Sequence, residues 1–284
     1  MRLSVFTFPV QPGIGVGALA RAVEERGFDG LWLPEHTHVP KHTTSPYPPD
    51  PTRPIPGWYA TTTDLVVGLT EAVLATSTLR VGSAICLVNQ RDPIITAKQI
   101  ASIDQLAPGR LAFGVGPGWN REEMANHGVA FETRFGMMRE RVEAIRAIWR
   151  EEEAQYHGRY VDFDPIRCGP RPATPGGPPI LVSGEAEGAT RRALRYADGW
   201  LPRDNELRGD AMLARIADFR QRARAGGRPD AETVVFAARR DPAELCRYAD
   251  AGVDEVLLPA RSGAAGRVLA DLDELRALAG STRG

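Results

Sequence analysis

Histidine is the residue type in this sequence best suited to acid–base chemistry, and one histidine directly follows a short apolar segment. His36 lies in the run LPEHTHVP, just after the strand-like residues 31–33. A histidine at such a place can donate a hydrogen bond to a carbonyl group or exchange a proton near neutral pH. We therefore treat His36 as a candidate catalytic residue, with a hydrogen-bonded structural histidine as the alternative.

A metal site is a second interpretation of the same run, because His36 and His38 form an H-x-H pair. A metal-dependent hydrolase on a barrel would need further ligands at later strand ends. Those ends have the sequences LVSGE, GWLPR and LLPARSG, none of which contains a histidine. A Schiff-base enzyme is disfavoured too, since neither Lys41 nor Lys98 ends a strand. Cys86 lies in a strand-like segment, where a buried and inert thiol is expected.

Two glycine-rich turns follow strand-like segments and could receive a flat or phosphorylated ligand. The first is GVGPGWN, residues 114–120, in which backbone without side chains can approach a ring or a phosphate. The second is LVSGEAEG, residues 181–188, where Ser183 and free N–H groups precede a helix and favour phosphate binding. We expect Glu185 and Glu187 to face solvent, because they would repel an anion. A tight turn before a helix and a helix-initiating serine are the corresponding structural alternatives.

A long proline-rich loop, residues 36–58, separates the second strand-like segment from the next helix. Its aromatic residues, such as Tyr47, Trp58 and Tyr59, could line an apolar substrate pocket or simply anchor the loop. Loops of this length in compact domains are usually functional or disordered. We interpret it as a substrate lid.

Strand-like and helix-like segments alternate along the chain and predict eight strand–helix units. The strands are expected at 3–8, 31–33, 79–85, 111–115, 180–182, 199–201, 233–238 and 253–258. The helices are expected at 16–26, 61–75, 94–106, 120–149 with a break around Gly128, 187–197, 210–225, 242–251 and 266–278. Residues 155–178 interrupt the pattern and contain QYHGRYVDF, which could form a hairpin around Gly158.

Eight βα units in under 300 residues predict an α/β fold with a closed (β/α)₈ TIM barrel. We expect insertions after strands 2 and 4 of the barrel. The whole chain, residues 1–284, is expected to form one domain. A doubly wound sheet is the alternative, but the turn VQPGIGVG after the first strand lacks the usual dinucleotide-binding spacing. In a barrel, the residues at the carboxyl ends of the strands form the active site.

The composition excludes several classes of partner. The net charge is -1, which favours neither nucleic acid nor a membrane surface. The 3 cysteines have no paired spacing, and the N-terminus lacks the pattern of a signal peptide, so a cytoplasmic location is expected.

Two long runs resemble the luciferase-like (LLM class) oxidoreductases. They are LRVGSAICLVNQRDPIITAKQIASIDQLAPGRLAFGVGPGWNREE and PPILVSGEAEGATRRALRYADGWLP. The shorter runs GFDGLWLPEH and AGVDEVLLP are similar to the family as well, so the resemblance covers nearly the whole chain. The nearest subgroup is the F420-dependent oxidoreductases.

The resemblance implies a cofactor lying across the carboxyl ends of the strands. It implies ring contacts at His36 and at a strand-three bulge, Ala84 and Ile85, with a cis peptide bond between these two residues. The remaining implied cofactor contacts are Gly116, Pro117, Gly118, Asn120, Ser183, Gly184, Ala186 and Gly188. Trp58 and Trp119 are the expected substrate contacts. Because Trp119 replaces the acidic residue of the F420-dependent sugar-phosphate dehydrogenases, a sugar-phosphate substrate is not expected.

The activity implied by the resemblance is hydride transfer between C5 of coenzyme F420 and a small organic substrate. FMN-dependent monooxygenation is the alternative, since both cofactors present a tricyclic ring and a phosphate. A non-catalytic flavin or F420 carrier would use the same contacts. Barrels of this family often form dimers, and no residue pattern here favours or excludes a homodimer.

Overall fold

The computed structural model describes residues 1–205 and 207–280 and has a closed barrel of parallel strands surrounded by helices. The eight barrel strands are β1 (Arg2–Phe6), β2 (Gly30–Leu33), β3 (Arg80–Ser83), β4 (Leu111–Val115), β7 (Ile180–Ser183), β8 (Gly199–Leu201), β9 (Glu232–Phe236) and β10 (Glu255–Pro259). They follow one another around the barrel in this order, and β10 pairs with β1. The predicted (β/α)₈ barrel is confirmed.

The helices of the described residues follow the strands and cover the barrel. They are α1 (Val16–Glu25), α2 (Leu65–Ala75), α3 (Pro93–Leu106), α4 (Arg121–Asn126), α5 (Arg134–Arg150), α6 (Glu187–Tyr196), α7 (Gly209–Ala225), α8 (Pro242–Asp250) and α9 (Ala265–Gly280). None of the helices within 1–205 and 207–280 has both the length and the apolar character needed to cross a membrane.

Two segments interrupt the simple alternation of strand and helix. Residues 34–64 connect β2 to α2, with one 3₁₀ turn at Gly57–Thr61. Between β4 and β7 the chain forms α4, α5 and an antiparallel hairpin of β5 (Ala154–His157) and β6 (Asp162–Ile166). The hairpin expected around Gly158 is therefore present, and Gly128, with φ +72°, lies in the break between α4 and α5.

Side chains from alternating strand positions fill the barrel interior. This inner cluster contains Phe6, Trp32, Ala84, Ala112, Leu181, Leu201, Val234 and Leu257, all of them buried. A second and larger apolar layer lies between the strands and the helices. Burying apolar surface on both faces of the strands is what a parallel barrel requires.

A buried carboxylate closes the amino-terminal end of the barrel. Glu255 is 0% exposed, and it accepts hydrogen bonds from the Ser4 hydroxyl at 2.6 Å and the Trp32 indole at 2.7 Å. Arg2 and Arg80 pair with its other oxygen at 3.0 and 2.7 Å. These partners compensate the negative charge of the Glu255 carboxylate. The amino-terminal end of the barrel can therefore be closely packed without water. The open end of the barrel is therefore the carboxyl end of the strands.

Several expected element boundaries differ from those in the structure, including the ends of β1 and β9, and the difference at α2 has an identifiable reason. α2 begins at Leu65 rather than at 61, because the Asp64 carboxylate accepts hydrogen bonds from the N–H groups of Val66 and Val67 and caps the helix there. β3 ends at Ser83 rather than at 85. The peptide bond between Ala84 and Ile85 is cis, as the resemblance implied.

Candidate active site

A cavity of about 390 Å³ lies at the carboxyl end of the barrel. Phe6, Ser183 and Phe236, the last residues of β1, β7 and β9, contribute to its wall. Most of the residues expected at the site line this cavity: His36, Ala84, Ile85, Pro117, Gly118, Trp119, Ser183, Gly184 and Ala186. Gly116, Asn120, Gly188 and Trp58 are not part of its lining.

His36 is held by a carboxylate that lies far from it in the sequence. Its Nδ1 atom lies 2.9 Å from Oε2 of Glu123, and the Thr37 N–H donates to Oε1 of the same carboxylate at 3.0 Å. Because a carboxylate only accepts, Nδ1 carries the proton of a neutral His36 ring, and Nε2 is left free. The side chain of His36 is 8% exposed and that of Glu123 is 1% exposed. The pair thus fixes the orientation of the ring at the cavity wall.

The pKa of Glu123 reflects two opposing effects. Burial raises the pKa, but the hydrogen bond and charge of His36 and the Thr37 N–H together hold it below its ordinary value. Glu123 is therefore ionised at neutral pH and can stabilise a positive charge on His36.

Aromatic rings surround His36 on the cavity side. The centroid of Tyr59 lies 5.0 Å from that of His36, and the centroid of Trp119 lies 5.6 Å away. Burial and the nearby Tyr47 hydroxyl raise the pKa of Tyr59 far above its ordinary value, so its hydroxyl remains neutral. These rings provide an apolar surface that limits the access of water to His36.

Ile85 forms one wall of the cavity, and a glycine behind it makes its position possible. A Cβ built on Gly116 would lie 1.9 Å from Cδ1 of Ile85. Gly116 therefore does not line the cavity itself but leaves the space that Ile85 occupies. The carbonyl of the next residue, Pro117, accepts a hydrogen bond from the buried Asn89 amide at 3.1 Å, which fixes the start of the 117–119 turn.

Asn120 has a structural position rather than a place on the cavity wall. Its side-chain oxygen accepts from the N–H of Glu123 at 2.9 Å and caps the amino-terminal end of α4. Asn120 thereby positions the helix that carries Glu123. The resemblance implied a cofactor contact at Asn120 and gave no indication of this helix cap.

The segment between β7 and α6 gives the cavity wall a place that can receive an anion. Ser183, Gly184 and Ala186 of this segment line the cavity, and Ala186 is the N-cap of α6 without a side-chain hydrogen bond to the helix. Gly184 has φ +134°, a conformation that L side chains rarely adopt. Uncapped N–H groups at a helix start favour negative charge.

Three arginines line the same cavity and were missed by the sequence analysis: Arg134, Arg192 and Arg203. The sequence signal was weak, because arginine is abundant throughout this chain. Glu185 also lines the cavity, which corrects the expectation that it faces solvent. Its Oε1 accepts from the N–H of Arg203 at 3.2 Å, so the carboxylate is engaged with the β8–α7 loop.

The loop between β2 and α2 is fastened to the helix that carries Glu123. The adjacent Glu122 carboxylate accepts hydrogen bonds from Thr43, Thr44 and Ser45 at 2.7–2.8 Å. Trp58, the expected substrate contact, is 39% exposed. It packs against Phe8 and Tyr59, with centroids 5.0 and 4.5 Å away, so it covers residues that line the cavity.

The alternative chemistries considered for the sequence have little support at this site. Within residues 1–205 and 207–280, no three histidine, cysteine or acidic side chains are grouped so that they could hold a metal ion. His38 interacts with Thr37 and Asn126 instead of pairing with His36. Cys86 is 1% exposed, as expected for a buried thiol, and burial raises its pKa well above the ordinary value.

Sequence comparison finds relatives over most of the chain. The uncharacterized protein Rv0953c of Mycobacterium tuberculosis is 37% identical over 267 residues, which cover 92% of this chain and 93% of that protein. An FMNH(2)-dependent dimethylsulfone monooxygenase of Pseudomonas fluorescens is 32% identical over 163 residues, covering 56% of this chain and 43% of that protein.

Comparison with solved structures identifies the same barrel. Monooxygenase RslO1 from Streptomyces bottropensis has a TM-score of 0.79 at 18% identity, with 100% of both chains covered. An F420-dependent secondary alcohol dehydrogenase has a TM-score of 0.76 at 18% identity, covering 100% of this chain and 99% of that chain. At this identity the likeness concerns the fold.

The family model for luciferase-like monooxygenases matches residues 1–277. It therefore spans every barrel strand and the cavity described above. This chain belongs to the luciferase-like monooxygenase family.

Proposed function

We propose that this chain is an F420-dependent oxidoreductase that transfers a hydride between C5 of the deazaflavin and a small organic substrate. Membership of the luciferase-like family supports an oxidoreductase that uses a flavin-type cofactor. The F420 preference is the finer part of the proposal. It follows from the sequence resemblance of the two long runs to the F420-dependent subgroup.

The single observation that carries the proposal is the composition of the cavity wall. The wall combines apolar residues, including Ala84, Ile85 and Pro117, with the amino terminus of α6 and Arg192. A tricyclic ring fits the first environment and a phosphate fits the second. We assign Ala84, Ile85, Pro117 and Gly118 to the ring.

We assign the cofactor's phosphate to the part of the cavity wall that the β7–α6 segment forms. Ser183 would donate its hydroxyl, Gly184 and Ala186 would offer backbone N–H groups, and Arg192 would add a positive charge. Gly188 and Asn120 would act indirectly, through the positions of Arg192 and Glu123.

The reduced cofactor, when bound, supplies the hydride; the chain supplies binding, orientation and a proton. His36 would donate a proton from Nε2 to a carbonyl oxygen, or accept one from a hydroxyl in the reverse direction. Glu123 would hold the ring through Nδ1 and stabilise its protonated form. Tyr59 and Trp119 would keep water away from the reacting groups.

The walls around His36 favour a small and largely apolar substrate. Trp119 and Tyr59 are both in contact distance of its ring, and Trp58 packs over Tyr59. We propose Trp58 and Trp119 as substrate contacts and the segment of residues 36–58 as a lid. Ketones, aldehydes and activated alkenes meet these requirements, whereas a sugar phosphate does not. A homodimer and a small-molecule substrate as the sole partner remain predictions.

FMN-dependent monooxygenation is the second candidate function. It is favoured by the 32% identity to an FMNH(2)-dependent dimethylsulfone monooxygenase. The same ring wall and phosphate end would serve FMN. A carrier without catalysis would bind either cofactor and transfer no hydride.

Anaerobic mixing with reduced cofactor tests the proposed function. Reduced F420 is mixed with the protein and a panel of ketones, aldehydes and activated alkenes, and the return of oxidised F420 is followed by absorbance. We expect protein-dependent oxidation with at least one substrate class, in the absence of oxygen. Product formation only with reduced FMN and oxygen would support monooxygenation instead. Binding without turnover of any substrate would indicate a carrier.

A further inference from the structure

We propose that a groove next to the cavity, lined by Arg139, Arg191, Arg192 and Arg195, binds a carboxylate-bearing tail that extends beyond the cofactor's phosphate. This inference rests on the proposed function and deepens it, because it concerns the part of the ligand that differs between F420 and FMN. F420 continues past its phosphate into a chain of glutamates, whereas FMN ends at its phosphate.

The groove adjoins the cavity. It has a volume of about 590 Å³ and lies between α5 and α6. Arg192 and Phe135 line both the groove and the cavity. The Arg192 guanidinium packs on the Phe135 ring, 4.1 Å from its centroid. If the phosphate of a ligand binds at Arg192, the part of the ligand beyond the phosphate could therefore enter the groove.

A glycine allows the arginine to take this place. A Cβ built on Gly188 would lie 2.8 Å from a terminal nitrogen of Arg192. Gly188 was expected to contact a phosphate, and the structure places it beside the guanidinium that joins the two compartments. Its missing side chain leaves room for that guanidinium.

The positive charge of the groove is poorly neutralised by the protein. Across the described residues, Arg191, Arg192 and Arg195 form no salt bridge, and Arg139 lies 3.6 Å from Glu140. Among residues 1–205 and 207–280, no acidic side chain is part of the groove lining. Burial and the neighbouring Arg191 lower the pKa of Arg192, although this group remains charged at neutral pH. Unpaired arginines in a concave surface attract a multiply charged anion.

Tyr196 adds a hydrogen-bond donor without a partner. It is 8% exposed and lines the groove, and its hydroxyl forms no hydrogen bond with the described residues. Burial raises its pKa to about 12, so the hydroxyl keeps its proton at neutral pH. Buried polar groups without partners are uncommon in folded proteins. A carboxylate in the groove would satisfy this hydroxyl and the arginines together.

The experiment compares F420 carrying a single glutamate with F420 carrying several, using fluorescence titration of the intact chain. The test variant combines Arg191→Glu and Arg195→Glu, which are exposed positions one turn apart on α6. Arg21→Glu, an exposed arginine on α1, is the matched control. FMN, which lacks a tail, is titrated in parallel against every variant.

We expect the longer tail to bind more tightly to the unmodified chain, and the double variant to weaken its binding by about tenfold. Binding of FMN and of single-glutamate F420 should change much less, and Arg21→Glu should have no effect. High salt should reduce the advantage of the longer tail, because exposed charges are screened. A parallel variant with Arg191→Gln and Arg195→Gln provides the test if charge reversal impairs folding.

Three results would overturn the inference. F420 that binds equally well with short and long tails would show that the groove holds no tail, while leaving the F420 assignment intact. A tail preference that persists in both double variants would place the tail elsewhere. Failure of every form of F420 to bind would overturn the cofactor proposal and the groove assignment together.

Discussion

Nδ1 of His36 and Oε2 of Glu123 lie 2.9 Å apart and join the loop after β2 to the helix after β4. The two residues are 87 positions apart in the chain. The contact decides which ring nitrogen of His36 faces a reacting group, and most of the mechanism proposed above depends on it.

Replacing His36 with alanine should reduce turnover by about tenfold to ten-thousandfold, because the proton donor or acceptor is lost. Cofactor affinity should change far less, since His36 forms only part of the cavity wall. Steady-state kinetics and a cofactor titration measure the two effects. His42→Ala, an exposed histidine in the same loop, is the control. An unchanged turnover number in His36→Ala would remove this residue from the mechanism.

Replacing Glu123 with glutamine should lower kcat by roughly tenfold or more, because the carboxylate that fixes the His36 ring and stabilises its positive charge is removed. Glu123 acts through His36, so KM and cofactor affinity should change little. Ala125→Gln, at an exposed position of α4, is the control for a general effect on this helix. Equal losses in cofactor affinity and kcat would indicate that Glu123 only maintains the fold.

Gly116 and Ile85 should show strong coupling in a double-mutant cycle. Gly116→Ala introduces a Cβ into the space of the Ile85 Cδ1 atom. Ile85 must then move toward the cavity, and overpacking of this kind costs about 1–3 kcal/mol. We expect weaker cofactor binding in Gly116→Ala and recovery on adding Ile85→Val, which lacks that methyl group. Simple additivity of the two effects on the cofactor Kd would show that Ile85 does not form the ring wall.

Glu122 should make the stability of the loop depend on pH. Burial raises its pKa, but hydrogen bonds from Thr43, Thr44 and Ser45 outweigh this and lower the pKa well below the ordinary 4.5. A carboxyl group whose pKa is lower in the folded state than in the unfolded state stabilises the fold when it is ionised. This stabilisation is complete at pH values above the ordinary pKa. That contribution is lost as the pH falls through the folded-state value.

Glu122→Gln should therefore lower the melting temperature at pH 7, by an amount equivalent to about 1 kcal/mol once solvent screening is considered. The difference from the unmodified chain should shrink as the pH falls below 4.5. Thermal melts between neutral and acidic pH measure it, with the exposed Glu25→Gln as control. A difference that stays constant over this range would contradict an ionised Glu122 holding the loop.

The fold was largely predictable because its signals are local. Alternating apolar segments predict strands and helices in order, and eight such units predict closure of the barrel. The start of α2 was misplaced by a few residues, since 57–61 forms a 3₁₀ turn and Asp64 caps the helix only afterwards. Such competition between adjacent turn and helix signals is decided by tertiary packing.

The candidate site was only partly predictable. Ser183 and Gly184 could be found because a strand, a glycine and a helix start follow one another directly. Glu123 and Arg192 could not, because both lie within helices, where acidic and basic residues are most often solvated. Their positions depend on how α4 and α6 pack against the barrel, and no local pattern contains that information.

A side-by-side binding titration of the purified chain with F420 and FMN distinguishes the two candidate cofactors. We expect micromolar or tighter binding of F420 and weaker binding of FMN. A protein that binds FMN tightly and ignores F420 would contradict the proposed function. That result would leave the barrel and the family assignment in place.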